Sequence, residues 1–188
     1  MLQKIITWPN QKLKVKSEPI INFNSEELVS LEKDLIDTCN VSMGVGLAAT
    51  QIGLKKAAIV IKPEDFGYPN PSPSEYNSDY FFLVNPNIIS SSEEKFKWKE
   101  ACLSVPGLVS SVDRFSKCVV EYYDSHGEAH TIEAEGEFAG GLQHEIDHLL
   151  GVVFVDKISN LKRSMYRKKI MKARKKQQRL NKKLNKHI

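Results

Sequence analysis

The chain has 188 residues, 41% of them hydrophobic, with 27 basic and 23 acidic side chains and a net charge of +4. That length suits one domain with a sizeable core, and no apolar run approaches the roughly eighteen residues of a membrane span. Three widely spaced cysteines argue against a disulfide framework. The opening ten residues hold neither a secretory apolar region nor an Arg-rich transit pattern, so a cytoplasmic protein is expected.

The net charge conceals a division. Lys157 to Ile188 carries 14 Lys and Arg and no Asp or Glu, which leaves 13 basic against 23 acidic residues in Met1 to Asp156. An acidic body, 1–156, therefore bears a basic tail, 157–188.

In chain order, Asn24-Ser25-Glu26-Glu27 reads as a helix start, with Asn24 as N-cap and Glu27 at the third position. Leu28, Leu31, Leu35 and Cys39 mark its buried face, and the helix should end before Gly44. Gly44 to Gln51 combines two glycines with small residues, which means an ordinary turn or backbone that another group approaches closely. A dinucleotide fingerprint is discounted, because the third glycine and the flanking strand and helix are missing. Ala57 to Ile61 reads as a strand. The polar stretch 62–80, with Pro63, Pro69, Pro71 and Pro73, is a lid or, by preference, an insertion.

Strands are expected again at Phe81 to Pro86, Lys95 to Lys99, Val119 to Tyr123 and His130 to Glu135, with a turn at Asp124 to Gly127. Cys39 and Cys118 read as small core residues. The fold class is α+β: antiparallel strands in small sheets around a central helix, with an N-terminal helix and a long basic C-terminal helix. In that last helix Leu161, Met165, Tyr166, Ile170 and Ala173 form a stripe that should dock on the body. The half beyond it, with Leu180 and Leu184, should remain solvated.

The central helix carries the chemistry. Phe138, Leu142, Ile146 and Leu149 lie on one stripe, while His144 and His148, four residues apart and about 5–6 Å from each other, share another. This H-E-x-x-H pattern lets two imidazoles reach one metal ion with Glu145 beside it. A hydrolytic site of this kind needs a third protein ligand, and Cys102, at a strand end in turn-rich sequence, is the best choice. Asp147 is either a partner of a ligand histidine or a helix-surface or salt-bridging carboxylate.

Three blocks together, Gly44 to Gln51, Glu100-Ala101-Cys102-Leu103-Ser104 and Gln143 to His148, resemble the peptide deformylase motifs G-x-G-x-A-A-x-Q, E-G-C-L-S and Q-H-E-x-D-H. The resemblance runs from Ile5 to the start of the tail and makes 1–156 a catalytic domain. It implies that Cys102, His144 and His148 bind one divalent metal, ferrous iron in the cell, with zinc, nickel or cobalt able to replace it. Glu145 becomes the proton-transfer group, and Gln51 and the Leu103 N–H flank the substrate carbonyl. Gly44, Val45, Gly46 and Glu100 become substrate-binding residues, and the substrate is the formyl-Met start of nascent polypeptides.

Three positions depart from the family pattern. Ala101 replaces a glycine and is strained if its φ is positive. Val109 stands where some relatives carry a basic residue, and Gly140-Gly141, in place of bulkier residues, should enlarge the side-chain pocket. Two other readings compete. An endopeptidase would need a third ligand after His148, and none precedes Asp156; an RNA- or ribosome-binding module would use the basic tail, with the metal merely structural. The tail also suits an enzyme docked near the ribosomal exit. No membrane contact or oligomer is indicated.

Overall fold

The computed structural model describes residues 1–69, 74, 76–77 and 79–184. Among these, three α-helices and seven strands run in the order α1 (Glu26–Val41), β1 (Gly46–Ala48), β2 (Ala58–Ile61), β3 (Phe81–Ser91), β4 (Lys95–Glu100), β5 (Ser110–Phe115), β6 (Lys117–Tyr123), β7 (Ala129–Glu135), α2 (Gly136–Leu149) and α3 (Asn160–Leu184). All strand pairings are antiparallel. Five strands form one sheet in the order β1-β2-β3-β6-β7, and β4 pairs with β5 as a separate ribbon. The mixed helix and small-sheet class expected from the sequence is the one found.

Alternation along the central strands explains the layering. Ala58 and Val60 of β2, with Phe82 and Val84 of β3, pack on Leu28, Leu31, Leu35 and Cys39 of α1. Their neighbours Ile59, Ile61, Phe81 and Leu83 face the other way, onto Phe138, Leu142, Ile146 and Leu149 of α2. A strand's side chains point alternately to opposite faces, so a sheet covered by a helix on each side must be apolar at every position. Each fully buried Val, Leu, Ile or Phe among them contributes about 1.5–3 kcal/mol. Cys39 and Cys118 lie in these clusters, and burial pushes their thiols up to about 12 and about 11, which keeps both unreactive.

Four expectations need correction. The N-cap of α1 is Ser25, whose hydroxyl accepts the Leu28 N–H; Asn24 instead adopts a positive φ of 55° and bonds to His126 in the β6–β7 turn. The stretch 62–80 is more than an insertion. Phe66 and Tyr68 pack on Phe138, while Ser74 and Tyr76 bond to Glu32 and Asp37 of α1. Pro71 and Pro73 lie outside the described residues. Finally, α3 docks on a narrower face than its apolar stripe suggested. Tyr166 stacks on Trp8 at 5.6 Å and donates to the Pro106 carbonyl, Ile170 packs beside it, and Arg174 donates to Thr7 and Trp8. Leu161 and Met165 stay exposed at 71% and 63%. The side chains of Leu180 and Leu184 are outside the described ones. The fourth correction is of omission: β1, β5 and the second half of β3 were not anticipated.

No helix among the described residues is long and apolar enough to cross a membrane. The capping assignment is open to measurement. Ser25→Ala should lower the urea-derived unfolding free energy by about 1 kcal/mol and Ser25→Gly by only a few tenths, because glycine leaves the N-cap accessible to water.

Candidate active site

Helix α2 delivers the histidine pair. Its C-terminus is closed by a left-handed Gly151 (φ 73°), with the Val152 N–H donating to the Asp147 carbonyl and the Gly151 N–H to that of His148. This cap fixes the last turn, where His148 sits. Cys102 arrives from the turn after β4, and its Sγ lies 3.3 Å from His148 Nε2. The ligand atoms of Cys102, His144 and His148 all fall within 4.8 Å of one another. Ligands around a tetrahedral ion with bonds of about 2.0–2.3 Å are about 3.3–3.6 Å apart, so this donor set fits a metal.

Glu100 lies behind the histidines. It was expected against the substrate, but it is 1% exposed: Oε2 accepts from His144 Nδ1 at 2.6 Å, and both oxygens accept from Arg114 at 2.6 and 3.0 Å. Burial opposes its ionisation, yet the bonds from His144 and Arg114 outweigh burial and hold its pKa below the usual value. By engaging Nδ1, Glu100 leaves Nε2 of His144 free for an ion. Asp147 touches neither histidine; it pairs with Arg114 at 2.5 Å and Lys157 at 3.0 Å. Burial first, and then the charges of His144 and Arg114, hold His148 well below the ordinary imidazole range, which keeps the ring neutral with one nitrogen lone pair available to an ion.

Glu145 is buried between α2 and β1. A Cβ on Gly46 would stand 2.5 Å from its Oε1, so only glycine permits this approach; the close contact considered for the Gly-x-Gly segment is real. Its Oε2 has no hydrogen-bond partner among the described residues. Burial pushes the carboxyl up to about 7, with His144 and Arg114 pulling down and Glu100 pushing up. Gln51 is fixed by the Ala48 N–H donating to Oε1, which turns Nε2 toward Ser104 Oγ at 3.1 Å and Cys102 Sγ at 3.5 Å.

These groups surround a cavity of ≈ 330 Å³ whose lining includes Gly44, Val45, Gly46, Gln51, Cys102, Leu103, His144 and Glu145. Phe66 and Trp98 also line it, and sequence reasoning missed both. The Gly140-Gly141 pair does not simply enlarge the pocket, because a Cβ on Gly140 would meet Trp98, and one on Gly141 would meet Phe66, each at 2.9 Å. The two rings occupy the space the glycines leave. Ala101 is not among the residues with positive φ, so the strain considered for it is absent. Arg114 was also missed; its signal is a charge at an inward position of β5, where Ser110, Val112 and Arg114 alternate with exposed residues.

A second acidic and histidine grouping, Asp124, Glu128 and His130, lies at the β6–β7 hairpin. There Asp124 accepts from the His126 and Glu128 N–H groups and pairs with His130, which accounts for it as a turn clamp.

The sequence pattern of the Polypeptide deformylase family matches residues 2–164. This chain belongs to the polypeptide deformylase family. A peptide deformylase of Wolinella succinogenes is 39% identical over 168 residues, 89% of this chain and 95% of that protein. The crystal structure of peptide deformylase from Ehrlichia chaffeensis superposes with a TM-score of 0.82 at 35% identity, covering 94% of this chain and 99% of that one. A second structure of the Ehrlichia enzyme, in complex with actinonin, gives 0.80 over 92% and 97% at the same identity. The chain is therefore a deformylase that removes the N-formyl group from nascent peptides. In this deformylase, Glu100→Gln should weaken metal affinity 10–100-fold in a chelator competition titration, since the residue behind a ligand histidine sets its tautomer and basicity.

Proposed function

We propose that Cys102, His144 and His148 hold one divalent ion, and that Glu145 moves the proton when the formyl amide of an N-formylmethionine peptide is hydrolysed. One observation carries this reading: three ligand atoms converge beside a buried carboxylate that has an unpartnered oxygen. A thiolate and two imidazoles suit ferrous iron, zinc, nickel or cobalt, and we assign ferrous iron in the cell on the family resemblance. Held there, the ion would supply Lewis acidity, lowering the pKa of a water toward about 7 and polarising the carbonyl.

The chain's own residues do the rest. The substrate main chain runs along Gly44, Val45 and Gly46 at the free edge of the sheet, where β1 has a neighbour on one side only. Its methionine side chain enters the apolar wall of Phe66, Trp98 and Gly141. Glu145 accepts a proton from the attacking water and gives it to the departing amine. As charge grows on the formyl oxygen, the Gln51 amide and the Leu103 N–H, which has no backbone acceptor among the described residues, donate to it. Formate and a free amino terminus are the products.

Glu145→Gln should cut kcat by roughly a hundredfold or more while metal content, read by elemental analysis, stays at the wild-type level. Formate should be released from formyl-Met peptides with no cleavage of internal bonds. Internal cleavage, or undiminished turnover in the variant, would reject the assignment.

We further assign residues 1–156 to catalysis in the cytoplasm and the basic tail, 157–188, to the ribosome, whose RNA is dense in phosphate near the exit of the nascent chain. The supporting observations are the 14 basic and zero acidic residues of the tail and the exposure of Lys168, Lys172, Lys175 and Lys176 on α3. A chain ended after Arg174 keeps the contacts to Thr7 and Trp8. It should lose most co-sedimentation with ribosomes at low salt, and its binding should depend less steeply on salt. Unchanged co-sedimentation would exclude the tail.

A further inference from the structure

A larger depression adjoins the catalytic cavity. The two share a wall at Gly107, Leu108 and Val109, and the second, ≈ 680 Å³, continues from there between the β4–β5 ribbon and α3. Its lining combines exposed apolar side chains, Val109 at 64% and Met165 at 63%, with three basic residues, Lys99, Lys162 and Lys169. No Asp or Glu among the described residues contributes to it. Lys162 reaches only the Ser110 hydroxyl, at 3.5 Å, and Lys99 and Lys169 have no acidic partner among the described residues. Across the ribbon, Lys99 stands opposite Ser111, which is neutral.

We propose that this groove receives the segment of the nascent peptide downstream of its first residues and favours acidic side chains there. The proposal rests on the deformylase reading, since it needs a peptide whose amino end is in the cavity. Continuity decides the occupant: an extended chain advances about 3.3 Å per residue and passes from one depression to the other along Val109 without crossing another element. The groove's composition agrees. Val109 and Met165 offer contact to side-chain carbon, which a phosphate backbone cannot use, while unpaired lysines attract carboxylates. Because these lysines bind ground state and transition state alike, the preference belongs in KM.

The test uses full-length, metal-loaded enzyme and three peptides, formyl-Met-Ala-Ala followed by Glu-Glu-Glu, Gln-Gln-Gln or Lys-Lys-Lys. Exposed ion pairs are individually weak, so kcat/KM at low salt should favour the Glu over the Lys peptide by about fivefold to tenfold. The difference should lie in KM and fade as salt rises. In Lys99→Gln/Lys169→Gln the ratio should fall to about one, and Lys169→Glu should lower it as well, with thermal melts checking that both variants fold. Equal kcat/KM for the three peptides, or a ratio that survives the double variant, would overturn the proposal. So would a short RNA that protects Lys99 and Lys169 from acetylation while the peptides remain equal, since the groove would then be a nucleic-acid surface. Formyl-Met-Ala, too short to reach the groove, separates the two readings. Formate from it with equal rates among the long peptides removes only the groove, whereas no formate from any peptide removes both.

Discussion

A buried ion pair turns three separate segments into one site. Glu100 ends β4, Arg114 lies in β5, and between them their bonds reach His144 and Asp147 of α2. Cys102 is two residues beyond Glu100, so clamping that carboxylate to the helix also sets how far the thiol stands from the histidines. Charges this deep are stable only when fully partnered, and removing one member of such a pair typically destabilises by about 3–5 kcal/mol. Here each charge has at least two partners, one of them in α2. The ribbon is therefore held to the helix by directed bonds rather than by apolar contact alone, and directed bonds fix the position of a ligand better than a greasy surface does.

Packing around this clamp leaves little freedom. Trp98 of β4 meets His144 edge-on at 6.5 Å, and Phe66 reaches across to Trp98 and Phe138. Both rings need the glycines at 140 and 141, just as Glu145 needs Gly46. The site is thus made by omitting side chains where helix, ribbon and sheet edge meet. Backbone approach creates the cavity, and aromatic rings close most of what the glycines open.

Periodicity made the helices legible, because apolar stripes such as Leu28-Leu31-Leu35 and Phe138-Leu142-Ile146 report burial on one face. The histidine pair was legible for a different reason, since the H-E-x-x-H spacing places two imidazoles together whatever the rest of the fold does. Other features depend on partners far along the chain. β1 is three residues long and exists because β2 is beside it; Phe66 looks like part of a polar loop until Gly141 makes room for it. Glu100 was misassigned because a motif records that a carboxylate is required and not which way it points. The N-cap shifted from Asn24 to Ser25 for the same kind of reason, Asn24 being used in a left-handed turn against His126, 102 residues further along the chain.

The basic tail poses an electrostatic question that net charge alone does not answer. At 25 residues, α3 is about 37 Å long, and the screening length at physiological salt is about 8 Å. Beyond Arg174, its last contact with the body, it runs on for about 15 Å, or about two screening lengths, so the attraction of the acidic body fades along its outer turns and a formal total of +4 averages two unlike regions. Its inner turns do meet the body, yet they dock through Tyr166, Ile170 and Arg174 and leave Met165, Lys162 and Lys169 open. One helix thereby offers two different faces. The outer turns have the charge density that phosphate requires, while the inner turns mix apolar carbon with ammonium groups beside the cavity mouth, a combination suited to a peptide.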